Sequence, residues 1–159
     1  MDTRVADQLR LRGGHLDFIG RSHIWIDDYD RVDSVQFAQF ALANALAHTA
    51  PGQLEVLVFD DALRGIAAPF QEVNSGGEKI LRYINDLQEL NETIKYLHEH
   101  VRSVLNVIQG RTESLLDFRQ QLSPKVEGFK LVVLSTIYDL LSDEIRDKLT
   151  VLLLSLIHI

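Results

Sequence analysis

LEVLVFDD, residues 54–61, packs apolar side chains at nearly every position and then stops at two acids. A run apolar on both faces suits a strand buried in a parallel sheet with helices on either side. A second run, FKLVVLST at 129–136, has the same build but ends in hydroxyls. In such sheets ligands sit at the carboxyl ends of the strands. Asp60, Asp61, Ser135 and Thr136 fall at those ends.

Working upstream from the first run, Pro51 and Gly52 end a helical unit over residues 34–48, which Asp33 or Ser34 can cap. That unit carries Val35, Phe37, Ala38, Phe40, Ala41, Leu42, Ala45 and Leu46, so it is apolar nearly all round and is expected between layers. Before it stands HIWI at 23–26, read as a strand, and an acidic turn at 27–30. Strand, loop, helix and strand in this order make a right-handed crossover with parallel strands. Residues 1–12 suit a short helix that Gly13 and Gly14 stop, and residues 15–19 are a further short apolar piece.

Downstream, Gly65, Pro69, Gly76 and Gly77 mark a loop. A long helical segment is expected over 78–121. Its seam runs through Ile80, Ile84, Leu87, Leu90, Ile94, Leu97, Val101, Val104 and Ile108, in steps of three and four. The seam either packs on the sheet of its own domain or pairs with another chain. Asn85, Glu89, Lys95, Glu99 and Arg102 fit its solvated side. Gly110 interrupts the segment and Pro124 ends it. After the second run, Ser142 caps a helix over 142–153 with Asp143 and Glu144 in its first turn. The expectation is a three-layer α/β fold: a parallel sheet from strands near Ile24, Val56 and Val132, flanking helices, and the helical insert 78–121. Residues 1–20 form a lead-in and 21–153 the α/β domain.

Composition narrows the function classes. At 159 residues, with 46% hydrophobic and 25% charged residues, the chain can build one globular core. It has no cysteine, which excludes disulfides, thiolate nucleophiles and cysteine metal sites and suits a reducing compartment. The first residues contain no signal-peptide core, and no apolar run approaches the ~20 residues of a membrane span. A net charge of −7 argues against a broad nucleic-acid-binding face.

Four features bear on chemistry. Asp60 or Asp61, at the end of a buried strand, has the placement used to hold Mg²⁺ beside a phosphate; the competing reading is a carboxylate that caps the following turn. The loop before residue 34 is the place for a phosphate loop, G-x-x-x-x-G-K-[ST]. With Ser34 in the last position, Asp33 replaces the Lys, and Val32 and Asp27 replace the glycines. Asp27, Asp28, Asp30 and Asp33 would repel a triphosphate, and their spacing is not that of a Ca²⁺ loop. His98-Glu99-His100 places its histidines two apart, on different sides of a helix, so the cluster reads as a solvated face and not as a metal site. No G-x-S-x-G elbow or carboxylate dyad is present.

The order ALANALAHTAPGQLEVLVFDD, a helical stretch, then GFKLVVLSTIYDLLSDEIRDKLTVLLLS resembles the ATPase core of the FtsK/SpoIIIE family of DNA translocases. The resemblance covers residues 24–153 and lies in order and hydrophobic pattern. It implies a P-loop-NTPase-like core, incomplete in this chain, with ATP and Mg²⁺ as the family's cofactors. Asp60 matches the family's acid after its second strand, where Pro-Lys usually follows; here Asp61 and Ala62 follow. Ser135 and Thr136 stand where the Walker B acids belong, and Asp33 and Ser34 at the degenerate phosphate loop. The resemblance therefore implies a non-hydrolysing copy in a large cytoplasmic translocase-type protein, with no cofactor of its own. Its partners would be further domains of the same polypeptide, a ring-type assembly, and DNA at the level of the whole protein. Two other readings stay open. One is a live nucleotide hydrolase using Asp60 and Asp61 for Mg²⁺, with its phosphate loop outside this chain. The other is a helical interaction module acting through the 80–108 seam. LSLIHI, residues 154–159, resembles the translation of a transposon end used in sequencing-library preparation, which implies a non-native tail after Leu153; a genuine apolar tail is the alternative.

Overall fold

Strand β1, Leu54–Asp60, is buried from Val56 to its last residue because both of its faces are covered. The structure, a computed structural model, describes residues 24–26, 32–50, 52–76, 80–108 and 129–156. Helix α1 (Val32–His48) precedes β1; β2 (Leu81–Ile84), helix α2 (Leu87–Ile108), β3 (Phe129–Ser135) and helix α3 (Asp143–Leu156) follow. The three strands pair in the order β2-β1-β3, all parallel.

Alternation along β1 sorts the core into two halves. Val56 and Val58 turn to one face, where Ala38 and Leu42 of α1 pack with Leu81, Ile66 and Ala67. Leu57 and Phe59 turn to the other, where α2 supplies Leu90, Ile94, Leu97 and Val101 and α3 supplies Ile145, Leu149 and Leu152. Each buried Val, Leu, Ile or Phe side chain among these contributes about 1.5–3 kcal/mol. The result is the three-layer α/β fold that the two apolar runs call for, and the 90–101 part of the seam is packed inside its own domain.

The third strand is not where the sequence places it. Ile24, Trp25 and Ile26 are not paired; they are 41%, 71% and 38% exposed, and Trp25 meets Tyr138 edge-on with ring centroids 5.8 Å apart. Its place is taken by β2, in residues expected to be helical. The error is physical: Leu81 faces the α1 layer and Ile84 the opposite layer. Ile84 stands four residues after Ile80 and three before Leu87, so a buried strand residue continued the helical spacing of the seam. Asn74 pins its start, its Oδ1 accepting from the amides of Ile80 and Leu81 at 2.9 Å each and its Nδ2 donating to the Leu81 carbonyl at 2.7 Å.

Helix α2 therefore begins at Leu87. Asp86 caps it, its Oδ2 accepting from the Glu89 amide at 3.0 Å. Helix α1 starts at Val32, so Asp33 lies within the first turn and does not precede it. Nor is α1 sandwiched: it forms the outer layer, with Phe40 40% exposed. Strand β3 is less enclosed than β1, with Val132 and Leu134 more than a third exposed. Ser142 caps α3 as expected, its Oγ accepting from the Ile145 amide at 3.3 Å. The acidic turn 27–30, the N-terminal pieces up to His23, the segment around Gly110 to Pro124, and residues 157–159 lie outside the described residues. No described helix is long and apolar enough to cross a membrane.

Candidate functional site

The carboxyl ends of β1 and β3 lie side by side, since Asp60 is the register partner of Ser135. Their chains then part. From β1 the chain turns onto the α1 face, where Ile66, Ala67 and Phe70 pack. From β3 it turns to the opposite face through Tyr138 and Leu141 into α3. Neighbouring strands whose connections leave to opposite faces create a crevice between them, the place where open α/β sheets take ligands.

Asp60 ends β1 beneath this point and is fully buried. Its Oδ1 accepts from the Arg64 amide and its Oδ2 from the Gly65 amide, each at 3.0 Å. The Leu63 amide donates to the Asp60 carbonyl at 3.3 Å. This tight return requires left-handed backbone at Leu63 (φ 52) and Gly65 (φ 78). The Gly65 carbonyl in turn accepts from Gln39 Nε2 of α1 at 3.2 Å, which ties the loop to the outer layer. Asp60 is thus committed to holding residues 60–65, the capping role.

Asp61 is exposed, and its Oδ2 accepts from Thr136 Oγ1 at 2.5 Å. Ser135 Oγ accepts from the guanidinium of Arg64 at 3.1 Å. Tyr83 closes the β2 side, its hydroxyl donating to the Asp60 carbonyl at 3.4 Å. Burial raises the Tyr83 pKa above the ordinary phenol value, and the nearby Asp60 charge adds to the rise. The structure so brings Asp60, Asp61, Ser135 and Thr136 together. Arg64 escapes a reading of strand ends because it stands four residues past the apolar run. The signal for it was the D-x-x-x-R-G pattern, an acid followed by a Gly able to take positive φ.

Asp33 is exposed and Ser34 half-buried in the first turn of α1. His98 is not on a solvated face: its Nε2 donates to the Lys148 carbonyl at 2.8 Å, joining α2 to α3. His100 stacks on Tyr96 at 6.0 Å between ring centroids, and Glu99 is exposed. Among the described residues no three His, Cys, Asp or Glu side chains are grouped to hold a metal ion. In comparisons with protein-family models, curated proteins and solved structures, nothing matches this chain.

Proposed function

We propose that this chain is a non-hydrolysing structural domain of the FtsK/SpoIIIE-like translocase type, working within a larger cytoplasmic polypeptide that handles DNA. One observation carries the reading. The acid best placed for Mg²⁺, Asp60, has each oxygen engaged by a backbone amide, and the neighbouring strand offers Ser135 and Thr136 instead of carboxylates. Phosphoryl transfer is catalysed almost wholly by positioned metal and charge. In this crevice the buried acid is spent on holding a turn, and no carboxylate of β3 stands beside it to seat the metal. In this reading the domain shapes a ring-type assembly or positions neighbouring domains.

The test is turnover and binding in the presence of Mg²⁺. Incubation with ATP and Mg²⁺ should release no phosphate above a protein-free control, and a fluorescent ATP analogue should show no Mg²⁺-dependent binding at micromolar concentration. Mg²⁺-dependent micromolar binding that disappears in Asp61→Asn would establish the live hydrolase instead. Asp61 serves this test better than Asp60, because its carboxylate is exposed and its loss leaves the 60–65 turn intact.

A further inference from the structure

Arg64 has no role in the function proposed above. It is half-buried at the crevice between the ends of β1 and β3, and one guanidinium nitrogen donates to Ser135 Oγ at 3.1 Å. A guanidinium carries five N–H donors. Among the described residues the ion pairs are Arg82–Glu89, Lys130–Glu55, Arg146–Asp143 and Lys148–Glu144, and none includes Arg64. Both nearby acids are otherwise engaged: Asp60 by the backbone amides of residues 64 and 65, Asp61 by Thr136. Neither carboxylate forms an ion pair with Arg64, so among the described residues its side chain has Ser135 as its one hydrogen-bond partner and donors left over for a ligand. The fold fixes Arg64 there, through its own amide on Asp60 and its side chain on Ser135.

We propose that this crevice binds a small phosphate-class oxyanion, held by Arg64 with Ser135. The planar guanidinium matches the paired oxygens of such an anion. Ser135 Oγ accepts from Arg64 and keeps its own proton to donate to a ligand oxygen. Asp61 sets the limit on affinity, because its charge opposes an anion a few residues away. Its residues are not those of the degenerate phosphate-loop position, Asp33 and Ser34. It requires neither Mg²⁺ nor hydrolysis, so it stands or falls independently of the silent-domain reading.

The experiment is a titration of the isotopically labelled chain with inorganic phosphate, followed through its backbone amide resonances at constant ionic strength and without Mg²⁺. Saturating shifts are expected at Arg64, Gly65, Ser135 and Thr136. Arg64→Gln should weaken binding about tenfold or more, the loss of a charge-assisted contact. Asp61→Asn should tighten it. Arg64→Gln removes only a bond to a neutral hydroxyl, so the fold is expected to survive, which the remaining resonances verify; Ser135→Ala is the second variant and should weaken binding more mildly. A parallel titration with AMP separates a nucleotide-borne phosphate from the free ion, and saturation by either at these amides supports the site. Shifts that do not saturate, or equal binding by Arg64→Gln and the unaltered chain, would overturn the proposal.

Discussion

Among the described residues two buried polar side chains, Asp60 and Thr93, sit in the core with opposite consequences. Asp60 uses both oxygens to hold the turn that follows β1. Asp60→Asn exchanges one acceptor for an NH₂ group that must face a backbone N–H. The stranded donor should cost about 1–3 kcal/mol of stability, read as a lower urea midpoint. Thr93 is 3% exposed on α2, and among the described residues its Oγ1 has no hydrogen-bond partner. Thr93→Val removes that orphan at nearly constant shape, so a gain of about 1 kcal/mol is expected in the same assay. A loss on Thr93→Val would mean that the hydroxyl is satisfied in solution. The Asp60 role was legible as one of two readings of a strand-end acid. What decides between them is the left-handed backbone at residues 63 and 65, which brings two amides back onto the carboxylate. Side-chain spacing carries no trace of that.

At the scale of elements, legibility depended on how completely neighbours cover each segment. β1 was plain because both faces are buried, so nearly every residue is apolar. α3 was plain because Ser142 and the acids after it mark its start. β2 was hidden because four residues at an edge bury only Leu81 and Ile84, on opposite faces. The Asn85-Asp86-Leu87-Gln88-Glu89 stretch held the corrective signal: Asp86 and Glu89 have capping-box spacing, and that places the helix start after β2. Because β2 is short and buries only two side chains, its start depends on Asn74. Asn74→Ala removes three hydrogen bonds at the start of β2. It should destabilise the chain by about 1–2 kcal/mol and speed hydrogen exchange at the Leu81 amide, while β3 amides stay protected. Equal acceleration in β2 and β3 would show that the strands open as one unit and that Asn74 has no local role.

At the scale of the whole molecule, both ends of the sheet respond to alkaline pH in the same direction. At the amino end, Lys130 of β3 pairs with Glu55 of β1 and lies over the Tyr96 ring, 5.6 Å from its centroid. Burial pulls the Lys130 pKa down, but the hydrogen bond and charge of Glu55, with a smaller contribution from Tyr96, outweigh it and leave it raised above 10.5. At the carboxyl end, Tyr83 is raised above 10.0, by burial first and by Asp60 second. In each case the folded chain keeps its proton to higher pH than the unfolded chain does. Between the two values the folded state binds more protons, so stability must fall as pH rises. The contribution is complete below pH 10.0 and is lost as pH climbs through the raised values. Urea midpoints measured from pH 9 upward should therefore decline once pH 10 is passed. Lys130→Met, which keeps the apolar stem and removes the charge, should start lower and decline less steeply; Tyr83→Phe should also flatten the curve, by removing the other titrating group. The two ends are separated by the length of β1, so their effects should add within a few tenths of a kcal/mol. A decline in the double variant as steep as in the unaltered chain would place the alkaline sensitivity outside these two groups.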